Sequence, residues 1–87
     1  MKKIKINKGF IIQKMDNMIT IFDGEKSVLY TFNKTATFIF EKIKSGLEPE
    51  KIIEDMRKKY AIKKDRAKKD LDELVNDLIS KKIISEH

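Results

Sequence analysis

Fourteen carboxylates and one histidine are the groups in this 87-residue chain that could move protons or hold a metal. Cysteine is absent, which removes thiolate nucleophiles, thiolate metal sites and disulfides. The histidine is His87, the last residue, and a lone terminal imidazole builds neither a nucleophile–base pair nor a metal site. The carboxylates are interleaved with lysines, as in Lys68-Lys69-Asp70 followed by Asp72-Glu73, which is the pattern of a solvated helix face. The groups that catalysis requires are missing, so the chain is expected not to be an enzyme and to carry no cofactor or metal. Binding chemistry remains. Twenty lysines and arginines give a net charge of +6 and a pI near 9.5, which favours polyanions or acidic peptides and steers them over long range.

Hydrophobic periodicity gives the elements that would position a partner. Ile4 and Ile6 alternate with Lys3, Lys5 and Asn7, an extended N-terminal arm. Phe10 to Met15 and Met18 to Phe22 flank the turn-forming pair Asp16-Asn17 and predict a hairpin. Asp23-Gly24 opens a second turn, and a third strand covers about residues 27–32. The second strand is apolar on both faces, which suits a central position. That leaves the third at an edge, with Val28, Tyr30 and Phe32 on one face and Leu29 and Thr31 on the other. Core packing is the favoured role for the side chains of the first face.

Asn33 is placed to cap a helix over about residues 34–45, whose stripe is Ala36, Ile39, Phe40 and Ile43. Phe38 points away from that stripe and is expected to pack under the sheet or the N-terminal arm, with contact to a partner enzyme as the alternative. Gly46 ends this helix. Pro49 starts the next, over about 49–60, with Ile52, Ile53, Met56 and Tyr60 on its apolar face. Asp65 is the expected cap of the longest helix, about 66–82. Its wide stripe is Ala67, Leu71, Leu74, Val75, Leu78 and Ile79, with Asp70, Asp77 and Lys81 alongside; Leu71, Val75 and Ile79 are read as core. Ile83-Ile84 closes the domain.

The fold class is therefore α+β: a three-stranded antiparallel sheet followed by three helices, winged helix-turn-helix-like, in one domain spanning residues 1–87. Apolar runs are only a few residues long, so no membrane span is expected. The basic start at Met1-Lys2-Lys3 lacks the apolar stretch of a signal peptide, and a cytoplasmic location is expected.

Several of these residues resemble a known family. Phe32, Asn33, Thr35, Ala36, Ile39 and Phe40 resemble the strand-to-helix junction of PqqD-like domains, also called RiPP recognition elements. Gly46, Ile52-Ile53, Tyr60 and Ala61-Ile62 are similar to that family's middle segment. Asp70-Leu71, Leu74-Val75, Leu78 and Ile83-Ile84 are similar to its terminal helix. Phe40 stands where Trp is frequent, Glu48 where Ser or Thr caps the second helix, and Lys82-Ile83-Ile84 replaces a Gly-Leu-Leu ending; all three are structural positions. The resemblance implies a non-catalytic adaptor that binds the leader segment of a ribosomally synthesised precursor peptide and delivers it to a modifying enzyme: a leader peptidase, a cyclase or a radical enzyme. The leader would add a strand at Val28, Leu29, Tyr30, Thr31 and Phe32 and lie in a groove against Asp70, Leu74, Asp77, Leu78 and Lys81. The Asp23-to-Ser27 approach is most similar to lasso-peptide proteins of this type. An unpaired edge also lets two copies of the chain pair as a homodimer.

A nucleic-acid-binding regulator is the alternative, suggested by the charge and the three helices. Two features count against nucleic acid as a partner. Every strand precedes the helices, whereas the usual DNA-binding wing follows the recognition helix. The third helix also carries Asp65, Asp70, Asp72, Glu73 and Asp77, which would repel phosphates. A third reading, a non-catalytic enzyme subunit that docks without a peptide, differs from the adaptor mainly in that respect.

Overall fold

The elements run β1 (Ile4–Ile6), β2 (Phe10–Met15), β3 (Met18–Asp23), β4 (Val28–Thr31), α1 (Lys34–Lys44), α2 (Pro49–Tyr60), α3 (Lys64–Ser80) and β5 (Ile84–Glu86). The structure is a computed structural model and describes residues 4–86; the basic start and His87 lie outside the described residues. Strands β2, β3 and β4 form an antiparallel sheet in that order, so the expected central strand is central and β4 is an edge. Asp16 and Asn17 both have positive φ (52° and 64°). That is the geometry of a two-residue hairpin turn whose twist matches the strands, and short polar side chains tolerate it.

The N-terminal arm has a partner the sequence did not reveal. Strand β1 pairs antiparallel with β5, Ile6 opposite Ile84 and Ile4 opposite Glu86. Asn7 holds this clasp at its inner end: its amide donates to the Lys82 carbonyl at 2.8 Å, and its Oδ1 accepts from the Ser85 hydroxyl at 3.0 Å. Ile83 and Ile84, at the join of α3 and β5, are almost fully buried.

One core joins the inner face of the sheet to the helices. Ile19, Ile21, Phe32, Ile39, Phe40, Ile52, Met56, Leu71 and Leu78 are buried in it, and Phe32 meets Phe40 edge-to-face at 5.5 Å. The junction after β4 is fixed by side chains on α1. Asn33 Oδ1 accepts the Ala36 N–H at 2.8 Å, the expected cap. Thr37, also buried, accepts the Ile19 N–H at 3.0 Å through its hydroxyl, so it continues the sheet ladder where the main chain has turned into a helix. Thr37→Val keeps the shape and removes that acceptor. A buried N–H without a partner costs about 1–3 kcal/mol, and a loss of that size is expected in urea unfolding, with Thr37→Ser retaining most of the stability.

Gly46 ends α1 as expected: at φ 81° it donates to the Ile43 carbonyl, and Leu47 N–H reaches back to Lys42. Lys42 and Lys51 converge on Asp55 at 3.5 and 3.1 Å, tying α1 to α2. The Lys51 ammonium, with a smaller contribution from Lys42, holds the Asp55 carboxyl below its ordinary range against the opposing effect of burial.

Five expectations need correction. Asp65 does not cap α3. Ala61 turns left-handed (φ 53°) to end α2, so α3 begins at Lys64 with Lys63 at the cap and no side-chain cap bond, and it ends at Ser80 rather than Lys82. Asp65 instead sits in the first turn, where a carboxylate favours the helix dipole. Phe38 packs neither under the sheet nor under the arm but edge-to-face on Tyr60 of α2 at 5.7 Å. The ammonium groups of Lys42 and Lys59 lie 5.1 and 5.3 Å from its ring. Ile79 is 37% exposed rather than core, and Val28, the first residue of β4, is 39% exposed.

Candidate functional site

Backbone geometry singles out β4. Phe32 N–H donates to the Ile19 carbonyl at 2.9 Å, and Tyr30 lies opposite Ile21 and Val28 opposite Asp23. In an antiparallel ladder hydrogen-bonded pairs alternate with open ones. Val28 and Tyr30 therefore spend their main-chain groups on β3, and Phe32 its N–H. Leu29 and Thr31 turn theirs outward, and β4 has no second neighbour in the sheet. A free row of donors and acceptors is a template for another strand.

The side chains divide differently. Phe32 is buried in the core, and Tyr30 is half-buried with the Lys81 ammonium 5.4 Å from its ring centre. Lys81 also pairs with Asp77 one turn earlier, which links the β4 edge to α3. Beyond that link an open cleft of about 430 Å³ runs between the start of α1 and α3. Ala36 and Ile39 contribute apolar surface on one side, with Asp70, Leu74 and Asp77 on the other. The expected groove residues Asp70, Leu74, Asp77 and Lys81 thus lie together beside β4. Leu78 does not join them. It is fully buried, one turn further along the core side of α3, and has no surface to offer a guest. Arg66 and Glu73 also line the cleft, and sequence reasoning passed over both. Their spacing from Asp70, four and three residues, was the signal available.

A second surface was not anticipated. Ile11, Phe22 and Leu29 are aligned across the three strands on the outer face of the sheet, 58%, 36% and 61% exposed. Reading β3 as apolar on both faces pointed to this row without saying that no helix would cover it. Among the described residues no group of carboxylates or histidine is placed to hold a metal, and no helix is long and apolar enough to cross a membrane.

Two solved structures share the architecture. One is TbiB1 in complex with the TbiA(beta) leader peptide, with a TM-score of 0.86 and 16% identity over 95% of this chain and 96% of that one. The other is lasso peptide synthetase B1 complexed with the leader peptide, with a TM-score of 0.88 and 18% identity over 95% and 98%. At such identities the likeness establishes the fold, an α+β arrangement of the winged-helix-like kind. Comparison with curated proteins gives no match. The family described as coenzyme PQQ synthesis protein D matches residues 19–84, from the central strand to the start of β5, and the chain belongs to this PqqD family.

Proposed function

We propose that this protein is a non-catalytic adaptor that binds the leader segment of a ribosomally synthesised precursor peptide and delivers it to a modifying enzyme. The observation that carries this reading is the outward-facing main chain of Leu29 and Thr31 beside the α1–α3 cleft. An extended peptide gains affinity from main-chain hydrogen bonds to such an edge, and pockets for its alternate side chains give selectivity. Both solved relatives hold a leader peptide, which favours the same guest here. In this reading Val28 to Phe32 provide the edge, while Tyr30, Asp70, Leu74, Asp77 and Lys81 line the guest's path. The domain acts as one peptide-binding unit.

Nucleic acid is the poorer guest, because the face of α3 beside the edge carries Asp70, Glu73 and Asp77. The test is calorimetric titration with the leader of the precursor peptide encoded beside this chain, and with duplex DNA under the same salt. One-to-one leader binding is the expected result. Heat only with DNA, declining steeply with added salt, would mean that the edge serves another purpose.

A further inference from the structure

We infer that the leader segment lying over the α1–α3 cleft carries a lysine or arginine that reaches Asp70 and Glu73. The inference rests on the adaptor reading above and specifies the guest. Although the whole chain is +6, the charged lining of the cleft is mainly acidic: Asp70, Glu73 and Asp77 stand beside Arg66, while Lys69 and Lys81 reach Glu73 and Asp77 from outside the lining. Charges are screened over about 8–10 Å at physiological salt, so a guest held in the cleft experiences these carboxylates and their immediate partners more than the lysines elsewhere on the chain.

Helix stability does not account for the acids. Glu73 and Asp77 lie in the C-terminal half of α3, with Asp77 in its last turn, where the helix dipole favours cations. Arg66–Asp70 and Lys69–Glu73 are i,i+4 pairs with the base first, the weaker order for such pairs. They are also loosely made. Arg66 Nε stands 3.3 and 3.4 Å from the Asp70 oxygens, and Lys69 stands 4.0 Å from Glu73. Asp77, by contrast, is engaged by Lys81. Asp70 and Glu73 are therefore the carboxylates most readily taken over by a guest. Asp70 is the more sheltered, with 25% of its side chain exposed against 66% for Glu73, so a charge-assisted hydrogen bond to it would be the stronger. Leu74 follows Glu73 directly and, half-buried in the cleft, gives the methylene stem of a lysine or arginine an apolar surface to lie on.

The test uses the full chain and the synthetic leader of the neighbouring precursor, with each basic leader residue in turn replaced by glutamine. Asp70→Asn/Glu73→Gln removes both charges while keeping side-chain size, and circular dichroism checks the fold. Loss of a charged hydrogen bond should weaken leader binding about tenfold. One leader substitution should cause a similar loss, and combining it with the protein variant should add little. A dissociation constant within about twofold of the wild type for the protein variant overturns the inference, as does a leader with no basic residue that couples to it. If binding is sensitive to proline at Leu29 but indifferent to Asp70 and Glu73, only this inference falls. If the wild-type protein does not bind the leader at all, the adaptor reading falls and takes this inference with it.

Discussion

Leu29→Pro is expected to weaken leader binding by one to two orders of magnitude while the protein stays folded. The register carries the argument. Leu29 lies opposite Phe22 in an open pair, so its N–H makes no bond to β3 and points to the free edge. Its side chain is 61% exposed on the outer face of the sheet and contributes little to the core. Proline is tolerated at such an edge position, where the donor it lacks was directed at solvent. A guest strand needs that donor. Without it one guest carbonyl is buried unpaired, at a cost of about 1–3 kcal/mol, and the ring obstructs the strand's approach, which adds to the loss. Tyr30→Pro is the contrasting variant, because Tyr30 is paired to Ile21 and its loss breaks the internal ladder. Calorimetry with both variants, alongside thermal unfolding, separates the two effects. Undiminished leader affinity in a folded Leu29→Pro protein would place the guest elsewhere.

Leu78→Ala and Leu74→Ala should differ in kind although they are one helical turn apart. Leu78 is fully buried, and truncating it leaves a cavity in the core it shares with Ile39, Phe40 and Met56. Buried leucine-to-alanine changes cost about 2–5 kcal/mol, a large share of the roughly 5–15 kcal/mol that holds a domain together. Leu78→Ala should therefore shift urea unfolding strongly, and any loss of binding should track the unfolded fraction. Leu74 is half-buried at the cleft, and its truncation should cost stability modestly and affinity directly. Fitting stability and leader affinity for both variants on the same samples checks this. A Leu78→Ala protein that is stable but unable to bind would move Leu78 back into the groove.

The contrast between these two leucines indicates what the sequence could convey. Periodicity placed both on one broad stripe of α3, and a stripe wide enough to include Leu74, Leu78 and Ile79 has a buried centre and exposed margins that spacing alone does not distinguish. The margins depend on which neighbours arrive. Ile79 shares the stripe but is at the rim, and Val28 alternates correctly but is exposed at the start of β4. The strand order, the Asn33 cap and the Gly46 stop were legible because each rests on local chemistry: two turn residues, one side-chain oxygen and one positive φ. Pairing of β1 with β5 was not, because nothing near Ile4 identifies a partner almost the whole chain away. The edge at β4 was legible as an edge. Which of its residues face outward became clear only from the register with β3.

That distant pairing also bears on how the molecule is assembled in time. Asn7 and Ser85 are 78 positions apart, so the clasp they help hold closes nearly the longest loop the chain can make. Closure of such a loop yields little until the intervening helices have already drawn its ends together. The hairpin and the three helices can form from short-range contacts, and β1 and β5 then meet as a late event. Because β1 is three residues long and only partly buried, the clasp is also the region suited to open first in the folded protein. Ile84 within it and Ile83 just inside it, both buried, would then be uncovered without disturbing β4. The protein would thus have a fast-exchanging end and a stable sheet edge in one small core.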